Sequence, residues 1–126
     1  MKKQYKQTKS INFMVRGDKM KELQKKAHET AVKRGKWDRG MDGAILNLYE
    51  EVSEFANAIE DKSQINEDYY EGGLDYRTTY EVNVAGSVDD ELADVVIVCL
   101  SIAEELGIDL MTAIKNKMRY NEVRGK

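Results

Sequence analysis

The stretch DDELADVVIVCLSIAEEL, from Asp89 to Leu106, decides the fold. Its middle, residues 92–103, carries one charged side chain, Asp94, and one other polar side chain, Ser101. An apolar segment of this length predicts a deeply buried α-helix. A carboxylate inside such a helix is costly without a partner, so the partner of Asp94 is the first functional question.

The composition favours helices. The chain has 126 residues, no proline and only 8% aromatic residues, and it is rich in Ala, Leu, Lys and Glu. Its length suits a single domain over residues 1–126. No apolar run approaches the roughly 20 residues of a membrane span, and the basic N-terminus lacks the apolar stretch of a secretory signal. Cys99, the single cysteine, allows no internal disulfide, so we expect a cytoplasmic protein that does not enter a membrane.

Charge is distributed unevenly, although the net charge is only −3. Residues 1–40 hold thirteen Lys and Arg against four Asp and Glu, and the remainder is acidic. A basic segment can bind nucleic acid or a phosphate-bearing small molecule. We interpret residues 1–16 as an N-terminal arm with solvated lysines, and we expect no nucleic-acid partner.

Helical periodicity predicts the first half of a four-helix-bundle core. One helix begins after Gly17-Asp18 and ends before Gly35. A second runs from about Ala44 to Asp61, and its apolar stripe comprises Ile45, Leu48, Tyr49, Val52, Phe55, Ala56 and Ile59. Residues 62–86 break the pattern and predict an irregular insertion or a short β-hairpin, with TTYEVNV as the candidate strand. The predicted fold class is therefore all-α with this insertion.

The other two predicted helices carry clear end signals. Ser87 and Asp90 resemble a capping box at the start of the third helix, and Gly107 ends it. Asp109 caps the fourth. The residues expected on the buried face of the fourth helix are Leu110, Ile114 and Met118.

Two acidic motifs with the same spacing lie on the second and third predicted helices. Glu51 and Glu54 form E-x-x-E, and Glu91 and Asp94 form E-x-x-D. At 100° per residue, the two carboxylates of each motif lie side by side next to apolar surface. Four carboxylates that face one another repel strongly without compensation. Because hard oxygen ligands suit Mg²⁺ or Mn²⁺, the pair of motifs predicts a divalent-cation site.

Iron and zinc suit the acidic motifs less well than magnesium does. A di-iron bundle needs Glu-x-x-His from two helices, whereas the only histidine is His28 on the first helix. Zinc prefers thiolate and imidazole ligands. An acidic ring at a subunit interface, with no metal, is the structural alternative.

A magnesium site commonly leaves coordination positions for substrate phosphate, so cations and an aromatic side chain are expected nearby. Lys117, Asn121 and Arg124 share one face of the fourth helix and are candidates for this role. Cations there would equally complement the helix dipole. Trp37, in a glycine-flanked loop, predicts either base stacking or closure of one end of the bundle.

The order of these motifs resembles that of the MazG-like all-α nucleoside triphosphate pyrophosphohydrolases and is similar to their dCTP- and dUTP-hydrolysing relatives. The segments that carry the resemblance are HETAVKRGKW, EEVSE, DELADVVI and GIDL with KNKMRYNEVR, over about residues 20–124 without 62–86. The resemblance implies Mg²⁺-dependent hydrolysis of a (deoxy)nucleoside triphosphate to the monophosphate and pyrophosphate. It also implies a house-cleaning role in the nucleotide pool and a homodimer or homotetramer.

The resemblance assigns roles to individual residues, with Mg²⁺ as the cofactor and Mn²⁺ as its alternative. The metal ligands that it implies are Glu51, Glu54, Glu91 and Asp94. Glu54 or the neighbouring Glu50 would orient or deprotonate the attacking water. The substrate-binding residues that it implies are Trp37, Lys117, Asn121 and Arg124.

Two rival functions follow from the same residues. A phosphoribosyl-ATP pyrophosphohydrolase has similar paired acidic motifs, and a panel of substrates distinguishes it. A non-catalytic helical module that binds nucleic acid or protein through the basic arm predicts salt-sensitive binding without the four carboxylates.

Overall fold

The structure, a computed structural model, describes residues 19–66 and 75–125. Its helices are α1 (Met20–Lys33), α2 (Gly40–Asp61), α3 (Tyr76–Asn83), α4 (Val88–Glu105) and α5 (Leu110–Val123). These described residues contain no β-strand, which confirms the all-α fold class. The predicted N-terminal arm, residues 1–16, lies outside them. Within the same ranges, no helix has the length and apolar character needed to cross a membrane.

The end signals of α4 and α5 form as predicted. Ser87 Oγ accepts a hydrogen bond from the backbone N–H of Asp90 at 3.1 Å, and α4 begins at the next residue, Val88. Asp109 caps α5, because its Oδ1 accepts from the N–H of Thr112 at 3.2 Å. Gly107, with φ of +70°, adopts the left-handed conformation that ends a helix most readily at glycine.

The insertion contains a helix, α3, where a strand was the candidate. Asp75 fixes its start, since Oδ1 accepts from the Thr78 N–H at 2.8 Å and Oδ2 from the Thr78 hydroxyl at 3.1 Å. At its other end, the carbonyl of Asn83 accepts from the N–H of Asn66 at 2.9 Å. The prediction of a β-hairpin for TTYEVNV is therefore wrong: a side-chain cap outweighs the partial alternation of this short segment. Residues 67–74 lie outside the described ranges.

The described residues form two compact units, and the boundaries fall inside α2 and α4. The first unit comprises residues 45–66 and 75–96. Within it, the N–H of Val88 donates to the carbonyl of Ser63 at 2.9 Å, which ties the start of α4 to the segment that follows α2. The expectation of a single domain stays a prediction.

In the second unit, residues 19–44 and 97–125, α1 packs against α5. Gln24 of α1 is buried there. Its Nε2 donates to the carbonyl of Ile108 at 2.6 Å and to Glu104 Oε1 at 3.3 Å. Its Oε1 accepts from the N–H of Leu110 at 3.1 Å, so one amide satisfies backbone groups on both sides of the turn between α4 and α5.

Many large apolar side chains are exposed. Leu92, Val96 and Ile97 of α4 are 46–48% exposed, so the predicted deep burial of this helix is wrong for the single chain. The expected buried face of α5 is also wrong, because Ile114 and Met118 are exposed. Hydrophobic periodicity identifies an apolar face but does not identify what covers it.

The inward face of α2 matches the predicted stripe only in part. Tyr49 and Val52 are exposed, whereas Leu48 and Phe55 of the stripe are half-buried. The helix directs a row of residues inward at spacings of three and four: Ala44, Leu48, Glu51, Phe55 and Ala58. An acidic residue therefore lies in the middle of the inward face of this helix.

Gln24 provides a test of the packing in the second unit. Substitution by Leu keeps the volume but leaves the Leu110 N–H and the Ile108 carbonyl without their partner, so the free energy of unfolding should fall by about 1–3 kcal/mol. Urea unfolding measures this change. Gln64→Leu, at an exposed glutamine, is the matched control and should change stability by less than about 0.5 kcal/mol. Equal stability of the two variants would contradict the role of Gln24.

Candidate metal centre

The acidic motifs of α2 and α4 come together in the first unit. Glu51, Glu54 and Glu91 each place one carboxylate oxygen within 4.8 Å of the other two. Asp94 belongs to a second group of the same size, with Asp90 and Glu91. Because the two groups share Glu91, all four predicted metal ligands belong to one acidic centre.

The spacing of these oxygens fits a small divalent cation. Mg²⁺ binds oxygen at 2.0–2.1 Å, so ligands on opposite sides of the ion lie about 4.2 Å apart. Separations of up to 4.8 Å therefore need only small side-chain adjustments to close around an ion. Carboxylates are also the ligand type that Mg²⁺ and Mn²⁺ prefer.

The position of Glu91 in the acidic centre raises the pKa of its carboxyl group. Its Oε1 atom is buried and, among the residues that the structure describes, accepts no hydrogen bond. Burial raises the pKa of its carboxyl group, and the negative charges of Asp90, Glu54 and Asp94 raise it further. A carboxylate in this position is stabilised by a proton or by a cation.

Asp90 belongs to the acidic centre, although the sequence indicated it only as a capping residue. Its Oδ1 accepts from the hydroxyl of Tyr80 at 2.5 Å, and its Oδ2 accepts from the N–H of Gly86 at 2.8 Å. Burial, followed by this hydrogen bond, raises the pKa of Tyr80. Since both oxygens of Asp90 are engaged by the protein, Glu51, Glu54 and Glu91 form the better candidate group for a cation. In the sequence, the four-residue spacing between Asp90 and Asp94 was the signal that Asp90 lies beside a predicted metal ligand.

The two candidates for the catalytic base differ in their surroundings. Glu54 is exposed and also contributes an oxygen to the acidic centre, whereas Glu51 and Glu91 are half-buried. Glu50 is exposed and belongs to neither group of acidic residues. Glu54 therefore combines access to solvent with proximity to the candidate ligands.

The predicted phosphate-binding residues lie in the second unit, Lys117 and Asn121 on α5 and Arg124 at its C-terminal cap. Lys117 Nζ and the guanidinium of Arg124 both lie over the ring of Tyr120, at 5.0 Å and 5.4 Å from its centre. The helix thus brings the two cations to one aromatic side chain. Asn121 Oδ1 is buried and, within the described ranges, has no hydrogen-bond donor.

Trp37 takes part in a polar network of the second unit. Its indole N–H donates to Ser101 Oγ at 2.8 Å, and its ring meets the ring of His28 edge to face at 5.2 Å. His28 Nδ1 lies 3.0 Å from the same hydroxyl, and its Nε2 lies 3.0 Å from Glu105 Oε1. Of the two predicted roles of Trp37, these contacts favour packing. The network also gives buried Ser101 its partners, which the sequence did not indicate.

Comparison with known proteins finds a family similarity in the C-terminal part of the chain. Residues 73–125 match the model of the MazG-like family. This segment contains the E-x-x-D motif and the residues of α5, and the match confirms the predicted resemblance there. It supports nucleotide pyrophosphohydrolase activity in general. The chain matches no curated protein and no solved structure.

Glu91→Gln tests the electrostatics of the centre. A folded-state pKa above the ordinary value of 4.5 means that the folded protein holds this proton more tightly than the unfolded chain. The stability contributed by the protonated form is therefore lost as pH rises through the raised pKa. In EDTA at pH 7.5, Glu91→Gln should unfold at a higher temperature than the wild type, and this difference should shrink as pH falls towards 4.5.

Thermal unfolding with and without Mg²⁺ tests whether Glu91 takes part in binding the ion. Mg²⁺ should raise the unfolding temperature of the wild type, because an ion that binds only the folded state stabilises it, and should affect Glu91→Gln much less. Glu29→Gln, at an exposed position of α1, should behave as the wild type does. A Glu91→Gln variant that is less stable than the wild type in EDTA at pH 7.5 contradicts the proposed electrostatics.

Proposed function

We propose that this chain hydrolyses a nucleoside triphosphate to the monophosphate and pyrophosphate, with Mg²⁺ or Mn²⁺ as cofactor. The observation that carries the proposal is the meeting of carboxylates from α2 and α4 around Glu91, whose Oε1 is buried. The MazG-like match of residues 73–125 supports the same class of activity. A house-cleaning role in the nucleotide pool is part of this proposal.

Glu51, Glu54, Glu91 and Asp94 would hold the cation. When bound, the cation neutralises phosphate charge and makes a water molecule easier to deprotonate. The carboxylates contribute the negative charge that retains the ion, and three of the four are half-buried, which strengthens their attraction for it. On this proposal, Asp94 is half-buried because its carboxylate is a ligand of the cation.

The remaining polar residues have separate tasks. Glu54, which is exposed, accepts the proton of the attacking water, and Glu50 is the alternative base. As the water oxygen bonds to phosphorus, the bond to pyrophosphate breaks and the leaving oxygens gain charge. Lys117 and Arg124 stabilise such charge by electrostatic attraction, and the amide of Asn121 positions the phosphates or sugar.

The rival functions predict different results for pyrophosphate release and for Mg²⁺ binding. A phosphoribosyl-ATP pyrophosphohydrolase releases pyrophosphate from phosphoribosyl-ATP and not from common nucleoside triphosphates. A non-catalytic module releases none from either. An acidic subunit interface without metal predicts that Mg²⁺ neither binds nor changes stability.

Pyrophosphate release from a panel of ribo- and deoxynucleoside triphosphates, and from phosphoribosyl-ATP, tests the proposal. Asp94→Asn should lower kcat at least about 100-fold, because a metal ligand contributes several kcal/mol to the reaction. Asp89→Asn removes an exposed carboxylate of the same helix and should leave kcat within about 2-fold of the wild type. Retained activity in Asp94→Asn, with a folded helical spectrum, contradicts the assignment.

The active protein is proposed to be a homodimer or homotetramer. Large apolar residues on the outer sides of α2 and α4, including Tyr49, Val52, Leu92 and Val96, are exposed in the single chain. Exposed apolar surface of this kind is typical of a protein–protein interface.

Light scattering coupled to size-exclusion chromatography tests this assembly. The wild type should elute at two or four times the mass of one chain. Val52→Lys places a charge on the exposed apolar stripe of α2 and should shift the mass towards that of a monomer. Ser53→Lys adds the same charge to an exposed polar position of this helix and should leave the assembly intact. A monomeric wild type contradicts the proposal.

A further inference from the structure

An aromatic pair lies on α3, next to the acidic centre. Tyr76 and Tyr80 are four residues apart and therefore share one side of the helix. Their ring centres are 5.9 Å apart and the rings are tilted by 48°. Tyr76 is 67% exposed, whereas Tyr80 is half-buried. One ring of the pair is thus directed to solvent and the other into the protein.

Tyr80 connects this pair to the acidic centre within the first unit. Its hydroxyl donates to Asp90 Oδ1, and an oxygen of Asp90 lies within 4.8 Å of ligand atoms of Glu91 and Asp94. Three short contacts therefore connect the candidate ligands to Tyr76. Glu91 and Asp94 lie close to Asp90, Asp90 accepts from the Tyr80 hydroxyl, and the Tyr80 ring lies next to the Tyr76 ring.

Two bonds tie α3 to its surroundings. Asn83, the last residue of the helix, accepts at Oδ1 from Asn66 Nδ2, which follows α2, at 2.8 Å. Tyr80 donates to Asp90. The first turn, which carries Tyr76, is capped locally by Asp75 through Thr78. The capped turn and the two bonds give the ring of Tyr76 a defined place on α3, as a substrate-positioning group requires.

The chemistry of the surroundings determines which part of a nucleotide this ring can accept. The nearby side chains of Asp90 and Asp94 are acidic, so phosphate is repelled except where a cation neutralises the charge. A nucleobase is neutral and planar, and it stacks on an aromatic face regardless of its identity. Trp37, the other candidate, already donates its indole N–H to Ser101 and packs its ring against the ring of His28.

We propose that Tyr76 forms the stacking surface for the nucleobase of the substrate, and that Tyr80 holds this surface in place through Asp90. The inference rests on the proposed function and names the substrate class more closely: a triphosphate that carries a planar heteroaromatic base, rather than a bare polyphosphate. The α3 insertion is then the element that recognises the base, while the carboxylates of α2 and α4 engage the phosphates through the cation.

Equilibrium binding to the intact protein tests this inference. The probes are the α,β-methylene analogues of the four common deoxynucleoside triphosphates and inorganic tripolyphosphate, each with Mg²⁺, measured by calorimetry. Tyr76→Ala should weaken binding of the best analogue roughly 10-fold, the loss expected for one stacked base. Its affinity for tripolyphosphate should not change. Tyr76→Phe keeps the ring and should bind within about 2-fold of the wild type.

Val82→Ala is the matched control, since Val82 lies on the same helix and is 68% exposed. It should bind both probes as the wild type does, with an unchanged far-ultraviolet circular dichroism spectrum. The inference is overturned if Tyr76→Ala binds the nucleotide analogue as tightly as the wild type, if it loses tripolyphosphate equally, or if the wild type binds none of the analogues.

Parallel assays of pyrophosphate release separate this inference from the proposed function. Nucleotide binding that depends on Tyr76, without release from the natural triphosphates, supports base stacking and contradicts hydrolysis. Release by the wild type, with an unchanged KM in Tyr76→Ala, supports hydrolysis and overturns base stacking.

Discussion

Repulsion among inward-facing carboxylates is the constraint on which the rest of this structure depends. Glu51 lies in the inward row of α2 and Glu91 in that of α4, positions where most helices carry apolar side chains. The raised pKa of Glu91 is the electrostatic result of this arrangement. A fold that maintains such a centre loses stability there unless a cation or protons compensate, which is the usual cost of a pre-organised binding site.

The same constraint accounts for the distribution of apolar residues. Because α2 and α4 use inward positions for acidic side chains, several of their large apolar residues, including Val52 and Leu92, lie outward and are exposed in the single chain. In the proposed oligomer a partner surface covers these residues, and this links the oligomer to the proposed metal centre. Ala44 and Ala58, the two fully buried residues of the inward row of α2, are small.

Features that depend on residues close in sequence were predictable, whereas features that depend on tertiary contacts were not. The caps at Ser87 and Asp109 formed as predicted because a capping bond joins residues three apart. The α3 helix was missed because its stability depends on the Asp75 cap and on the contact of Tyr80 with Asp90, and the second of these is tertiary. Periodicity located the four carboxylates and placed Leu48 and Phe55 on the inward face of α2, but it also assigned the exposed residues Tyr49 and Val52 to the interior. Gln24 gave no signal, since its partners lie more than eighty residues away in the sequence.

Anomalous X-ray scattering from crystals grown with Mn²⁺ tests the central claim most directly. The ion scatters anomalously near its absorption edge, and Mn²⁺ accepts the carboxylate ligands that suit Mg²⁺. We predict an anomalous peak within bonding distance of the carboxylates of Glu51, Glu54, Glu91 and Asp94. A peak elsewhere on the chain, or none at a Mn²⁺ concentration that raises the unfolding temperature, would contradict the claim that these residues form the metal centre.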